Sequence, residues 1–157
     1  MLILIIVNIY NVMEPKLYIK ELLKHALMEE NDKKIVGGVL IKCVKTNRVF
    51  LLLRNDRTPI WSLMSGGIDK GEDVLDGIKR EMYEELFVKP SNFTFKFVGV
   101  EHIPNRNMEF HYYQGFTNTE FKPILDEENL NFGWFDLTTL PSPLFNGLKE
   151  KIFDILK

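Results

Sequence analysis

The segment from Gly66 to Val88 constrains the fold most, because one helix-patterned stretch carries two faces with opposite demands. The loop from Arg54 to Gly71, with Pro59, Trp61 and three glycines, leads into a helix predicted over Glu72 to Leu86. At about 100° per residue, Leu75, Ile78, Met82 and Leu86 form an apolar stripe that must pack against another layer. Glu81, Glu84 and Glu85 stand at i, i+3 and i+4, so three carboxylates share a second face within little more than a turn. Gly77, one turn before Glu81, falls on that acidic face and is expected to leave it open to a ligand.

The rest of the chain supplies the layers. Strands are predicted over Ile35–Val44 and Val49–Leu53, joined by a hairpin at Lys45–Arg48, then over Phe93–His102, Glu109–Phe116 and Asn131–Leu137. Gly37-Gly38 marks a close approach of another element. Helices are predicted over Pro15–Met28 and, at the end, over Leu144–Leu156. Without a repeated β-α alternation, these elements point to an α+β fold, a mixed β-sheet sandwiched between α-helices. One domain over 1–157 is expected, with 1–14 an apolar N-terminal extension or strand ahead of a second potential start at Met13. The apolar run Met1–Val7 is far short of the roughly 18 residues of a bilayer span and has no secretory features.

Twenty basic residues against twenty-two acidic ones give a net charge of −2, which excludes a bulk cationic surface for duplex nucleic acid. The lone Cys43 can neither close an intrachain disulfide nor build a cysteine-rich zinc site, so a reducing, cytoplasmic setting without membrane attachment is expected. Oligomeric state is left open, a homodimer included.

Acidic clusters on helices are mostly solvated faces. Here the glycines, Glu72, Arg80-Glu81 and Glu84-Glu85 occur together, and a hard divalent cation resolves the repulsion among the carboxylates. Mg²⁺ takes oxygen ligands and keeps positions for water or substrate phosphates. The glycine loop adds backbone groups suited to a metal or phosphate.

The spacing is specific. Gly66, five residues, Glu72, seven residues, Arg80-Glu81, Met82, one residue, Glu84-Glu85, one residue, Phe87, Val88 resembles the Nudix box, with every charged position retained. Trp61 resembles the usual lead-in tryptophan and Trp134-Phe135 the closing strand. Phe87 replaces the glycine that normally ends the helix, and Met64-Ser65 replaces the lead-in Pro-Gly. The resemblance implies hydrolysis of a nucleoside diphosphate linked to another moiety, with Mg²⁺ (or Mn²⁺) and water as nucleophile. It implies Glu81, Glu84 and Glu85 as metal ligands with the Gly66 carbonyl as a fourth group, and Arg80 as the residue that orients Glu81. Glu72 either binds a second ion or answers the positive end of the helix.

A base is implied among the box glutamates or a late loop, with Glu81 and Glu127 foremost and Asp126, Glu128 and Glu120 as alternatives. Arg54, Arg57 and Arg106 are candidates for phosphate contacts, and Tyr112 or Tyr113 for stacking on a base. Pro104 suits a turn and also resembles a feature of ADP-ribose-hydrolysing members. The expected partner is a small nucleotide such as a nucleoside triphosphate, nucleotide sugar or ADP-ribose. An RNA-decapping enzyme or an isomerase is possible within the same fold, and the reading from another class is a non-catalytic nucleotide sensor. Loss of box glutamates would favour the sensor, and none is lost.

Overall fold

The computed structural model describes residues 19–25 and 33–157. The chain divides into two units, residues 1–33 and 34–157. In the first, residues 19–25 are helical, inside the helix predicted over 15–28, and the apolar segment 1–14 lies outside the described residues. The second unit is a mixed α+β fold built on a seven-stranded sheet.

Its strands are β1 (Lys34–Cys43), β2 (Val49–Arg54), β3 (Ile60–Ser62), β4 (Met64–Gly67), β5 (Thr94–Ile103), β6 (Met108–Thr117) and β7 (Asn129–Phe135). β1 runs parallel to β6 along its whole length, and the other pairings are antiparallel. The start of β1 pairs with β4, bringing Gly37 opposite Gly66, and its end pairs with β2. β2 in turn carries β3 on part of its length and β7 along all of it, with a register shift between Leu53 and Arg54.

Period-two alternation sorts the central strands between two cores. Val39, Ile41, Phe50 and Leu52 face helix α1 (Val74–Leu86), where they pack with Ile78, Met82 and Leu86. Leu40, Val49 and Leu51 face helix α2 (Leu148–Ile155), where they pack with Leu148, Ile152 and Ile155. A fully buried aliphatic side chain contributes roughly 2 kcal/mol, so the sandwich rests on these rows. The close approach read from the Gly37-Gly38 pair occurs here: a Cβ on Gly37 would lie 2.5 Å from Ile78 of α1.

Three differences from the sequence expectation bear on the site and the elements around it. The segment Arg54–Gly71 is not loop throughout but contains β3 and β4, strands of three and four residues that periodicity cannot register. The acidic helix starts at Val74 rather than Glu72, because the Asp73 side chain accepts from the backbone N–H groups of Leu75 and Asp76 as its N-cap. The closing helix starts at Leu148 rather than Leu144. Gly147 precedes it with a φ of 75°, while Leu144 bridges to Trp61 and the Phe145 N–H donates to the Trp61 carbonyl at 2.8 Å.

The helix still ends where a glycine is usual. Phe87 adopts the left-handed conformation (φ 52°) and its N–H donates to the Tyr83 carbonyl. A side chain in that region costs about 1–2 kcal/mol, against the 0.5–1 kcal/mol that glycine loses in conformational entropy on folding. The Phe87 ring is exposed and among the described residues makes a ring contact with Tyr83 alone. Phe87→Gly is therefore expected to raise stability by about 0.5–1 kcal/mol, read as a higher urea midpoint at an unchanged m-value.

Candidate active site

Arg80 is the hub of the acidic face. Its Nε and Nη2 donate to the two oxygens of Glu72 at 3.0 and 2.9 Å, a bidentate fork. Nη2 also donates to the Gly67 carbonyl at 3.0 Å, which ties the helix to β4. Nη1 donates to Glu81 Oε1 at 2.8 Å and to Glu84 Oε2 at 3.2 Å. The bonds from Arg80, joined by the Asp69 N–H, hold the Glu72 carboxyl down to about 2. Glu72 is thus an Arg80 partner ahead of the helix.

Gly66 sets the position of Glu81. A Cβ there would lie 2.3 Å from Cγ and Cδ of Glu81 and 2.6 Å from Oε2, so only a glycine lets the carboxylate lie against the β4 backbone. Gly77 does not open the acidic face as expected. It is buried, and a Cβ on it would meet Ile68 at 2.6 Å and a Glu72 oxygen at 2.9 Å. Its role is to let Glu72 and Ile68 close over the helix.

Glu85 is in a different environment. It is only 4% exposed, and Asn129 Nδ2 of β7 donates to its Oε2 at 3.1 Å. Burial pushes its carboxyl up to about 7; the Asn129 bond opposes this, and nearby Glu128 and Asp126 add to it. Asn129 also donates to Asp126 Oδ1 at 3.2 Å, and its own buried Oδ1 has no partner among the described residues. Asn129 escaped sequence reasoning, since a single asparagine after an acidic run carries no signal of a partner 44 residues away.

Glu81 and Glu85 both line a cavity of about 630 Å³, together with Gly66, Arg54, Arg106, Phe110, Tyr112 and Glu128. That size suits a small ligand. Phe110 and Tyr112 take the cavity side of β6, whereas Tyr113 packs into the core beneath α1. Pro104 opens a 3-10 turn over Pro104–Arg106 that carries Arg106. Neither Arg57 nor Glu127 lines this cavity. Glu127 is exposed, and its backbone carbonyl accepts from Asn55, while its neighbour Glu128 faces the cavity. Glu120 is engaged elsewhere, in a bidentate pair with Arg48 at 2.7 and 2.6 Å. Glu127→Gln is accordingly expected to leave turnover within about twofold of the parent in a steady-state assay, as substitutions away from special features usually do little.

Among the described residues no group of three or more His, Cys, Asp or Glu side chains is arranged to hold a metal ion as it stands. The donor chemistry nevertheless fits one. Glu81 and Glu84 converge on a single positively charged atom, Arg80 Nη1, and Glu85 shares the cavity wall with Glu81. All donors are hard oxygens, as Mg²⁺ or Mn²⁺ requires.

A family model for the NUDIX domain matches residues 33–154. An RNA pyrophosphohydrolase from Francisella tularensis subsp. mediasiatica is 42% identical over 48 residues, 31% of this chain and 30% of the relative. The chain thus matches less than a third of that relative's length. An ADP-ribose pyrophosphatase from Streptococcus suis is similar in structure, with a TM-score of 0.62 at 21% identity over 79% of this chain and 90% of the other. A MutT NUDIX hydrolase from Burkholderia pseudomallei gives a TM-score of 0.59 at 23% identity over 78% and 97%. At these identities the structural likeness speaks for the fold.

Proposed function

The chain belongs to the NUDIX family, and from that premise we propose that it hydrolyses the pyrophosphate linkage of a nucleoside diphosphate joined to another moiety, with a divalent cation and water as the nucleophile. The observation that carries this reading is the placement of Glu81 and buried Glu85 on one cavity wall, with Arg80 bridging Glu81 to Glu84 beside it.

Glu81, Glu84, Glu85 and the Gly66 carbonyl would hold Mg²⁺ or Mn²⁺, which when bound screens the phosphate oxygens and acidifies water. Glu72 keeps its fork to Arg80 and takes no ion. Arg80 fixes Glu81 through Oε1, leaving Oε2 to accept the proton of the attacking water. Asn129 orients Glu85 through Oε2. Arg54 and Arg106 on the cavity wall offer charge to the substrate's phosphates.

The match to an RNA pyrophosphohydrolase supports pyrophosphate bonds as the target class. The test is a panel of nucleoside triphosphates, nucleotide sugars, ADP-ribose and dinucleoside polyphosphates with millimolar Mg²⁺, read by release of phosphate or a monophosphate. Cleavage of at least one nucleotide, abolished by EDTA, is expected. Nucleotide binding without cleavage across the panel would favour the sensor reading.

A further inference from the structure

Away from the carboxylates of α1, the same cavity is walled by a second polar cluster. Glu101 of β5 accepts two hydrogen bonds on one oxygen, Oε2: from Lys151 Nζ of α2 at 2.8 Å and from the Tyr112 hydroxyl of β6 at 3.0 Å. All three residues line the cavity. These two donors keep the Glu101 carboxyl below its ordinary value, so the group is an anion at neutral pH. Among the described residues no donor reaches its other oxygen, Oε1. A carboxylate with one oxygen saturated and the other unengaged is an oriented acceptor.

The aromatic side chains divide their roles around it. Tyr112 is covered: Phe110 lies against its ring at 4.5 Å between centroids, and Lys151 Nζ sits 4.6 Å from the ring centroid. Its ring is thus already engaged by two neighbours. Phe145 also lines the cavity, is 48% exposed and has no aromatic neighbour among the described residues, and its N–H anchors it to the Trp61 carbonyl.

We propose that Glu101 selects the base of the nucleotide, favouring guanine, with Phe145 as the stacking surface. This rests on the nucleotide reading above. The choice of guanine follows from donor geometry. Its Watson–Crick edge presents two adjacent N–H donors, the ring N1–H and the exocyclic amine, to a single acceptor. Adenine and cytosine present one donor beside an acceptor nitrogen, and that nitrogen's lone pair would face the carboxylate. Lys151 and Tyr112 are positioning residues, since they hold Oε2 and so aim Oε1.

Glu101→Gln inverts the signal. Lys151 can only donate to Glu101's position, so it would hold the amide oxygen and turn the amide nitrogen, a donor, towards the base. Glu101 is half-exposed, so the variant is expected to fold.

The test measures binding of GDP, IDP and ADP by calorimetry in EDTA, and hydrolysis of GTP and ATP with Mg²⁺. The parent is expected to bind GDP at least ~10-fold more tightly than ADP, as a hydrogen bond to a charged group allows. IDP, which lacks the exocyclic amine, should fall between them. In Glu101→Gln the GDP-to-ADP ratio should drop to about one or below, and Phe145→Ala should weaken both nucleotides. Equal binding of GDP and ADP by the parent, or an unchanged ratio in Glu101→Gln, overturns the assignment. Hydrolysis of GTP and ATP without preference overturns the base assignment alone, whereas no binding and no hydrolysis of any nucleotide overturns the functional reading with it.

Discussion

Glu85→Gln is expected to lower kcat on the best nucleotide of the panel by roughly 10³-fold while the protein stays folded. The variant keeps the shape of Glu85 and a group able to pair with Asn129, so the local packing against β7 survives. What disappears is a negative charge on the cavity wall shared with Glu81. That charge acts mainly as the transition state develops, which is why kcat should report its loss. Melting the variant in parallel supplies the folding control, and turnover equal to the parent's would remove the acidic helix from the mechanism.

The same buried carboxyl should give the metal-free protein a distinctive pH dependence. Its ordinary value is 4.5, and burial raises it to about 7 in the folded protein. Between those limits the folded chain holds a proton that the unfolded chain has released. Folding therefore takes up a proton in that window, and stability falls as pH rises from 4.5 to 7. A rise of that size corresponds to about 3 kcal/mol lost by neutral pH. Urea unfolding in EDTA at several pH values measures it, with Glu85→Gln lacking this contribution. Millimolar Mg²⁺ is expected to restore stability at neutral pH, since a ligand bound only by the folded state shifts the equilibrium towards it.

How much of this was legible beforehand depended on the range over which each feature is determined. The apolar stripe of Ile78, Met82 and Leu86 and the separate carboxylate face are properties of one helix, and its spacing displays both. The alternation of Val39, Leu40 and Ile41 between two cores was hidden, because a strand buried on both faces reads as a continuous apolar run. Likewise β4 is Met-Ser-Gly-Gly, a composition that reads as loop and becomes a strand only because β1 pairs with it.

At the site, the adjacency of Arg80 and Glu81 suggested their contact, but the bond from Arg80 to the Gly67 carbonyl depends on a loop 13 residues upstream folding back. The late acidic run presents the sharpest limit. Asp126, Glu127 and Glu128 are equivalent as letters, yet the turn that lets Asn129 reach both Asp126 and Glu85 leaves Glu127 outward and Glu128 on the cavity. Nothing in composition distinguishes those neighbours.

The most direct measurement is cleavage of a nucleotide by the parent protein in ¹⁸O-labelled water, with Mg²⁺ and in EDTA, followed by mass spectrometry of the phosphate products. Water attack at the pyrophosphate predicts a single ¹⁸O in one of the phosphate-containing products for each bond broken, and no cleavage in EDTA. Intact nucleotide in the presence of Mg²⁺, or cleavage that persists in EDTA, would contradict a metal-assisted hydrolase built on Glu81, Glu84 and Glu85.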